Sequence, residues 1–369
     1  MAKSIHQAPI TYPKTLIIGV NAPYNKTGYI ESYFEEFKNL VKSSNTPYED
    51  ALFIKLREID PAYFFTKGKR EEIKALCDKL EIKQIVVSEP LSPQQARNLE
   101  DLLNVVVFDR TDLILDIFEQ SAITAEGKTQ VAIARFQHEK TRLAGQGKLL
   151  EQQPGVVGMR GGSGETQKEK EKRFIEDKIR RAKQSIEQMQ KIRATQRKQR
   201  LAKEIPHFCL VGYTNAGKST ILNALTKSDV LAEDKLFATL DTTTRALFID
   251  GKQKGVLLDT VGFIQQLPPK LIAAFKSTLS ELHYADLLIQ VIDLSDHNWE
   301  SHIKVVHAIL DDLEVAKPML YVFNKADRVE NLEALQPELE RYQPHVIVSA
   351  TSKNGLTPLI NYLNNWQKK

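Results

Sequence analysis

The chain has 369 residues, 27% charged and 42% hydrophobic, an ordinary globular composition with length for two or three domains. Its two cysteines, Cys77 and Cys209, show no CxxC spacing, which excludes a disulfide scaffold and a cysteine-rich zinc module. No apolar run reaches membrane-spanning length and the N-terminus lacks the apolar core of a signal peptide, so a reducing cytoplasm is the expected setting. Net charge is +4, but Glu165–Glu204 holds fourteen Lys/Arg against seven Asp/Glu. That stretch reads either as a polyanion-binding element or as a solvated helix face.

The first zone runs to about residue 125. Thr15–Val20, Ile85–Ser88 and Val105–Phe108 read as strands. Between the last two, Ser92 is an N-cap with Pro93 at the first helical position. Apolar runs alternating with amphipathic stretches indicate a small α/β domain with parallel pairing. Thr66-Lys67-Gly68-Lys69-Arg70 reads as a helix entry or a phosphate-contacting loop.

The second zone spans 126–204 and contains two helical arms. The first covers about Leu113–Leu143. The second runs from about Glu165 to Glu204 with no Gly or Pro. Its Ile175, Ile179, Ala182, Ile186 and Met189 are spaced 4-3-4-3, a coiled-coil seam. The expected form is an antiparallel helical hairpin. Its tip, residues 145–164, holds seven of the chain's seventeen glycines together with Leu149, Leu150, Val156, Val157 and Met159. Such a loop is either a hinge or a tip suited to a narrow polyanionic site, where Gly allows close backbone approach.

The third zone, 205–369, alternates helical stretches with apolar runs at Phe208–Val211, Ala246–Ile249, Val256–Leu258, Leu287–Ile292, Met319–Phe323 and Val346–Val348. Asp250-Gly251 opens a short turn, so the second and third runs form a hairpin. The expectation is a mostly parallel sheet with one antiparallel edge strand and helices on both faces.

Gly212-Tyr213-Thr214-Asn215-Ala216-Gly217-Lys218-Ser219 matches the phosphate-binding loop G-x-x-x-x-G-K-[ST], between a strand and a helix opening at Ser219-Thr220. Its backbone N–H groups and the helix N-terminus suit phosphate oxygens. Lys218 reaches the β- and γ-phosphates and the Ser219 hydroxyl suits Mg²⁺. Asp259-Thr260-Val261-Gly262 follows a strand, placing a carboxylate near the metal and the Gly262 N–H near a γ-phosphate. Asn324-Lys325-Ala326-Asp327 ends another strand. The Asp327 carboxylate can accept from guanine N1–H and its exocyclic amine, a donor pair adenine lacks. Ser349-Ala350-Thr351 ends the next strand and supports the base through a backbone N–H.

These residues resemble a translation-factor-class, Ras-like P-loop GTPase domain, and further segments resemble the HflX family. They are FATLDTTTR at 237–245, DTVGF at 259–263, GMRGGSGETQ at 158–167, DRTDLILDIF at 109–118 and EGKTQVAIA at 126–134. The fold class this implies is α/β: an N-terminal α/β domain (1–125), a coiled-coil-like helical hairpin (126–204) and a Ras-like GTPase domain (205–369). By the resemblance, Phe237, Ala238, Thr239, Leu240 and Asp241 form a switch segment against the nucleotide. Thr239 is its Mg²⁺- and γ-phosphate-contacting threonine, with Thr242, Thr243 and Thr244 as competing hydroxyls. Where the family usually shows Asp-Pro-Thr, this chain has Asp241-Thr242-Thr243, which removes a rigid φ. Lys218, Thr239 and Gly262 are the catalytic candidates. Phe263 stands where related enzymes often carry a water-orienting glutamine, so slow intrinsic hydrolysis is expected.

The resemblance further implies a cytoplasmic GTPase that uses GTP/GDP and Mg²⁺. It implies binding to the large ribosomal subunit and its RNA through the N-terminal and helical domains, and splitting or rescue of stalled or idle ribosomes. No DNA partner is expected, membrane association is not indicated, and a monomer suffices. Two alternatives stand beside it: a GTPase of large-subunit assembly, and a non-ribosomal switch gripping a protein partner. Family members often carry a further small domain beyond the GTPase domain, which this chain, ending at Lys369, is expected to lack.

Overall fold

Near-continuous runs of Ile, Leu and Val form the central strands, because a parallel strand covered on both faces buries side chains of both parities. In the computed structural model, β1 (Thr15–Asn21), β5 (His207–Gly212) and β8 (Leu287–Asp293) are buried almost throughout. The described residues are 13–25, 29–145, 167–201, 205–226, 236–237, 240, 243–268, 271, 275 and 279–368. The chain divides into two compact units, Met1–Ile114 and Leu115–Lys369.

In the first unit, β1, α1 (Ile30–Ser43), β2 (Asp50–Lys55), α2 (Lys67–Leu80), β3 (Gln84–Val87), α3 (Pro93–Leu103) and β4 (Val106–Phe108) alternate. The sheet order is β2-β1-β3-β4, all parallel. Strand β2 was not expected from the sequence: it is an edge strand of which only Ile54 is fully buried, so its apolar pattern is weak. Thr66–Arg70 opens α2, with Thr66 at the N-cap; the helix-entry reading holds and no phosphate loop forms there. Ser92 caps α3 in a reciprocal capping box with Gln95. Leu16, Ile18, Val20, Ile85, Val87 and Val107 are all fully buried, each stabilising by roughly 1.5–3 kcal/mol.

The first expected arm is two helices, α4 (Arg110–Ser121) and α5 (Ala125–Gly145). The break falls at Thr124, whose hydroxyl accepts from the Gly127 N–H at 2.9 Å and caps α5. Helix α6 (Gln167–Leu201) runs antiparallel to α5. An ion pair joins Lys140 to Glu176 at 2.8 Å, and the Lys178 ammonium lies 5.0 Å from the Phe136 ring centre. The heptad seam faces inward: Ile175 and Ile186 are buried and Ile179, Ala182 and Met189 half-buried, while Lys178, Arg180, Arg181 and Lys183 are exposed. The glycine-rich tip lies outside the described residues apart from its first position. The hairpin falls in the same unit as the third zone, whereas the sequence reading makes it a separate domain.

That zone supplies β5, α7 (Lys218–Thr226), β6 (Thr243–Ile249), β7 (Lys252–Asp259), β8, α8 (Trp299–Asp312), β9 (Met319–Asn324), α9 (Leu332–Leu339), β10 (His345–Ile347) and α10 (Thr357–Asn365). The sheet order is β10-β9-β8-β5-β7-β6. β6 pairs antiparallel with β7 across the expected turn, and all other pairs are parallel. The carboxyl ends of β5, β7, β8 and β9 lie at one edge, where open α/β sheets hold ligands. Among the described residues, no helix is long and apolar enough to cross a membrane.

Candidate functional site: a phosphate loop and a base-reading loop at the strand ends

The turn from β5 into α7 is a phosphate loop because its backbone leaves the common conformations twice. Asn215 has φ +59° and Gly217 φ +96°, which curls successive N–H groups toward one concavity. Asn tolerates this region better than most residues. A Cβ on Gly217 would also lie 2.3 Å from Asn324 Nδ2. Lys218 is buried, and its ammonium donates to the Gly212 and Tyr213 carbonyls at 3.2 and 2.7 Å. Burial pulls its pKa down to about 8, against the opposing pull of Asp259.

The end of β7 meets this loop edge-on. Asp259 is fully buried and accepts from the Ser219 hydroxyl at 2.7 Å. Thr260 donates its hydroxyl to the Leu210 carbonyl at 2.7 Å, so that side chain pins β7 to β5, a structural task for a residue expected at the nucleotide. Val261 is buried. Gly262 presses against the loop: a Cβ there would stand 2.9 Å from Thr214 Cα and 3.1 Å from Lys218 Nζ. The Thr214 N–H donates to the Phe263 carbonyl at 2.7 Å and the Phe263 N–H to the Gly212 carbonyl at 3.1 Å. The Thr214 hydroxyl is buried with no partner among the described residues.

The base-reading loop is tied to the phosphate loop by one side chain. Asn324 donates through Nδ2 to the Ala216 carbonyl at 2.9 Å and accepts through Oδ1 from the Ala350 N–H at 3.0 Å. Lys325 pairs with Asp293 at 2.7 Å. The exposed Asp327 carboxylate accepts from the Ser349 hydroxyl at 2.5 Å, which holds its pKa below the usual carboxylate value. An acidic group kept ionised and facing solvent can accept from two donors on a purine edge. Thr351 is exposed.

The structure thus brings Gly212 to Thr220, Asp259, Gly262, Asn324, Lys325, Asp327, Ser349 and Ala350 to one edge of the sheet. Ala238, Thr239 and Asp241 lie outside the described residues. Phe237 is the first residue of the expected switch segment. It is buried at φ +59°, with its ring edge-on to Phe118 at 4.7 Å, and Phe118 is edge-on to Phe275 at 5.0 Å. Leu240 is likewise buried; both are apolar, and burial is what their side chains gain from packing. Sequence reasoning passed over Asp293, the partner of Lys325. Its signal was an acidic residue closing an apolar strand, as in Asp259.

Comparison with known proteins gives a consistent result. A family model described as GTP-binding GTPase N-terminal matches residues 31–119, and one described as GTP-binding GTPase Middle Region matches 121–200. A third, described as 50S ribosome-binding GTPase, matches 207–325. The GTPase HflX of Magnetococcus marinus is 42% identical over 361 residues, 97% of this chain and 82% of that one. The GTPase HflX of Escherichia coli K12 is 40% identical over 331 residues, 89% and 78% of the two chains. Among solved structures, SsGBP in complex with GDP covers 95% of this chain at 24% identity, with a TM-score of 0.51, a likeness of fold.

Proposed function

From the premise that the chain belongs to the HflX family of GTPases and is a GTP-hydrolysing enzyme with a Ras-like GTP-binding domain, we propose that it binds the large ribosomal subunit in its GTP state and splits or rescues stalled or idle ribosomes in the cytoplasm. The observation that carries this reading is the pairing of a phosphate loop and a base-reading loop at one sheet edge with an antiparallel hairpin whose second arm presents Lys178, Arg180, Arg181 and Lys183 to solvent. Exposed basic side chains along a helix track RNA phosphates and position a protein without reading sequence. The description of the family model over 207–325 supports the same partner.

The chain's own groups divide the work. The phosphate loop and the Lys218 ammonium hold the phosphates of GTP, and the charge that grows on the departing β-phosphate is met by fixed donors. Asp327 and Asn324 hold the base. Ser219 and Asp259 fit Mg²⁺: a hydroxyl and a carboxylate 2.7 Å apart are hard oxygen donors of the kind it takes, alongside water and phosphate oxygens. Bound there, with Thr239 as the switch ligand, Mg²⁺ would neutralise phosphate charge. The Gly262 N–H would sense the γ-phosphate. Phe237 and Phe275 both touch Phe118 of α4. Rearrangement of the segments flanking the nucleotide therefore reaches the helix that leads into the hairpin. Hydrolysis relaxes those segments and releases the factor.

The experiment is multiple-turnover GTP hydrolysis with and without large ribosomal subunits. Phe263 offers no hydrogen bond to an attacking water, so intrinsic turnover is slow and the subunit raises it at least tenfold. Equal turnover in both conditions overturns the reading. Accumulation of precursor particles in a depletion strain would assign large-subunit assembly in its place. Removing residues 152–163 leaves GTP binding intact and stops splitting.

A further inference from the structure

Tyr213 is the second residue of the phosphate loop, and it makes contacts that no motif requires. Its backbone bridges in parallel to Phe263. Its carbonyl accepts from Lys218 at 2.7 Å. Its phenol oxygen accepts from the Gln265 N–H at 2.8 Å. Its ring lies flat on His302, with centres 3.8 Å apart and planes inclined by 10°. Both side chains are buried, at 6% and 8% exposure. His302 sits in the first turn of α8, its N–H donated to the Asn298 carbonyl at 3.0 Å, so a regular helix carries the imidazole.

The segment this arrangement holds is the one where the chain lacks a water-orienting side chain. With phenylalanine at 263, what that segment contributes to hydrolysis is its backbone path, which sets where the Gly262 N–H points. Two hydrogen bonds to the loop, from Thr214 to Phe263 and from Phe263 to Gly212, hold one end of it. The phenol of Tyr213 holds the next turn of chain at Gln265. We propose that Tyr213 and His302 act as a positioning pair for GTP hydrolysis. The imidazole fixes the phenol by stacking, and the phenol oxygen fixes residues 263–265 against the phosphate loop. Neither side chain touches the reacting atoms. Their effect falls on the transition state, where a small displacement of a donor is costly. Ground-state phosphate binding, which rests on the loop and Lys218, is spared. The inference depends on the GTPase chemistry alone and is independent of the ribosomal reading.

Single-turnover GTP hydrolysis by the full chain tests it, with GTP and GDP affinities measured in parallel. Tyr213→Phe keeps the ring and removes the acceptor oxygen; the hydrolysis rate falls about five- to tenfold, while both affinities stay within twofold of the parent. His302→Ala gives a similar fall, and His302→Phe, which restores a flat ring, recovers most of the rate. The double variant Tyr213→Phe/His302→Ala is no slower than the worse single variant, because both act through one hydrogen bond. An unchanged rate in Tyr213→Phe overturns the proposal. So does a matching loss of nucleotide affinity, which would mark a loop distorted as a whole, and so does a double variant in which the two losses multiply.

Discussion

The N-terminal sheet and the nucleotide-binding sheet are built on one plan: parallel strands, a buried central strand, and polar residues at the carboxyl ends. They differ in what those polar groups have left to offer. At the end of β3 in the first unit, Glu89 is fully buried. It accepts from the Tyr24 and Tyr33 hydroxyls at 2.6 Å each and from Asn25 at 3.1 Å. Burial pushes the Tyr33 phenol well above its ordinary pKa, so it remains a donor. At the ends of β5 and β7, the loop instead curls its N–H groups into a concavity through positive φ at Asn215 and Gly217. A strand end becomes a ligand site when the backbone there turns its polar groups around an incoming phosphate. When side chains satisfy one another, the same location becomes a rigid joint.

The comparison can be broken first at Lys218. Replacing it by alanine removes the one ammonium in the phosphate loop, and GTP turnover falls by about 10²–10³-fold, the scale expected for a lost charge-stabilising donor; phosphate release measures it. Glu89→Ala is the matching change in the other sheet. It takes from the buried Tyr33 hydroxyl its short acceptor, leaving a 3.5 Å contact to the Ser88 carbonyl, and costs about 1–3 kcal/mol of stability, read as a lower urea midpoint. GTP turnover of the folded protein stays within twofold, and a large loss of turnover would erase the distinction between joint and site.

Asp327→Asn sharpens the comparison at the base. An amide cannot accept from two purine donors as a carboxylate does, so GTP affinity falls about 10–100-fold, the value of a charged hydrogen-bond pair, and xanthine nucleotide binding rises. Competition binding with both nucleotides checks it.

The smallest effect is on pH. With its pKa lowered to about 8, Lys218 loses its proton in the folded, nucleotide-free protein before it does in the unfolded chain. Between about pH 8 and the ordinary lysine range, the unfolded state binds more protons. This group therefore adds stability as pH rises through that window, and the gain is lost as pH falls through 8. Phosphate favours the ammonium, so GDP binding above pH 8 takes up a proton and weakens with pH, by at most tenfold per pH unit. Calorimetry in two buffers of different ionisation heat detects the uptake, and its absence at pH 9 would contradict the burial of this lysine.

Local pattern alone carries most of the fold and the polar half of the site. Buried strands impose runs of Val, Ile and Leu, a helical seam imposes 4-3-4-3 spacing, and the phosphate loop and the base-reading loop each impose residue types at fixed offsets from a strand end. All of these are constraints between neighbours in the chain, so they survive in the order of residues. Edge strand β2 and the break at Thr124 escaped because an exposed edge and a single cap leave little periodic signal.

What tertiary structure alone decided is the set of contacts between residues remote in the chain. Phe237 and Phe275, far apart in the chain, both set their rings edge-on against Phe118. Asn324 spans from Ala216 to Ala350. Tyr213 finds His302 and Gln265. No period of 2 or 3.6 residues links such partners. They meet because helices and strands of set length pack at high density, and packing selects shape across the chain without leaving a mark along it.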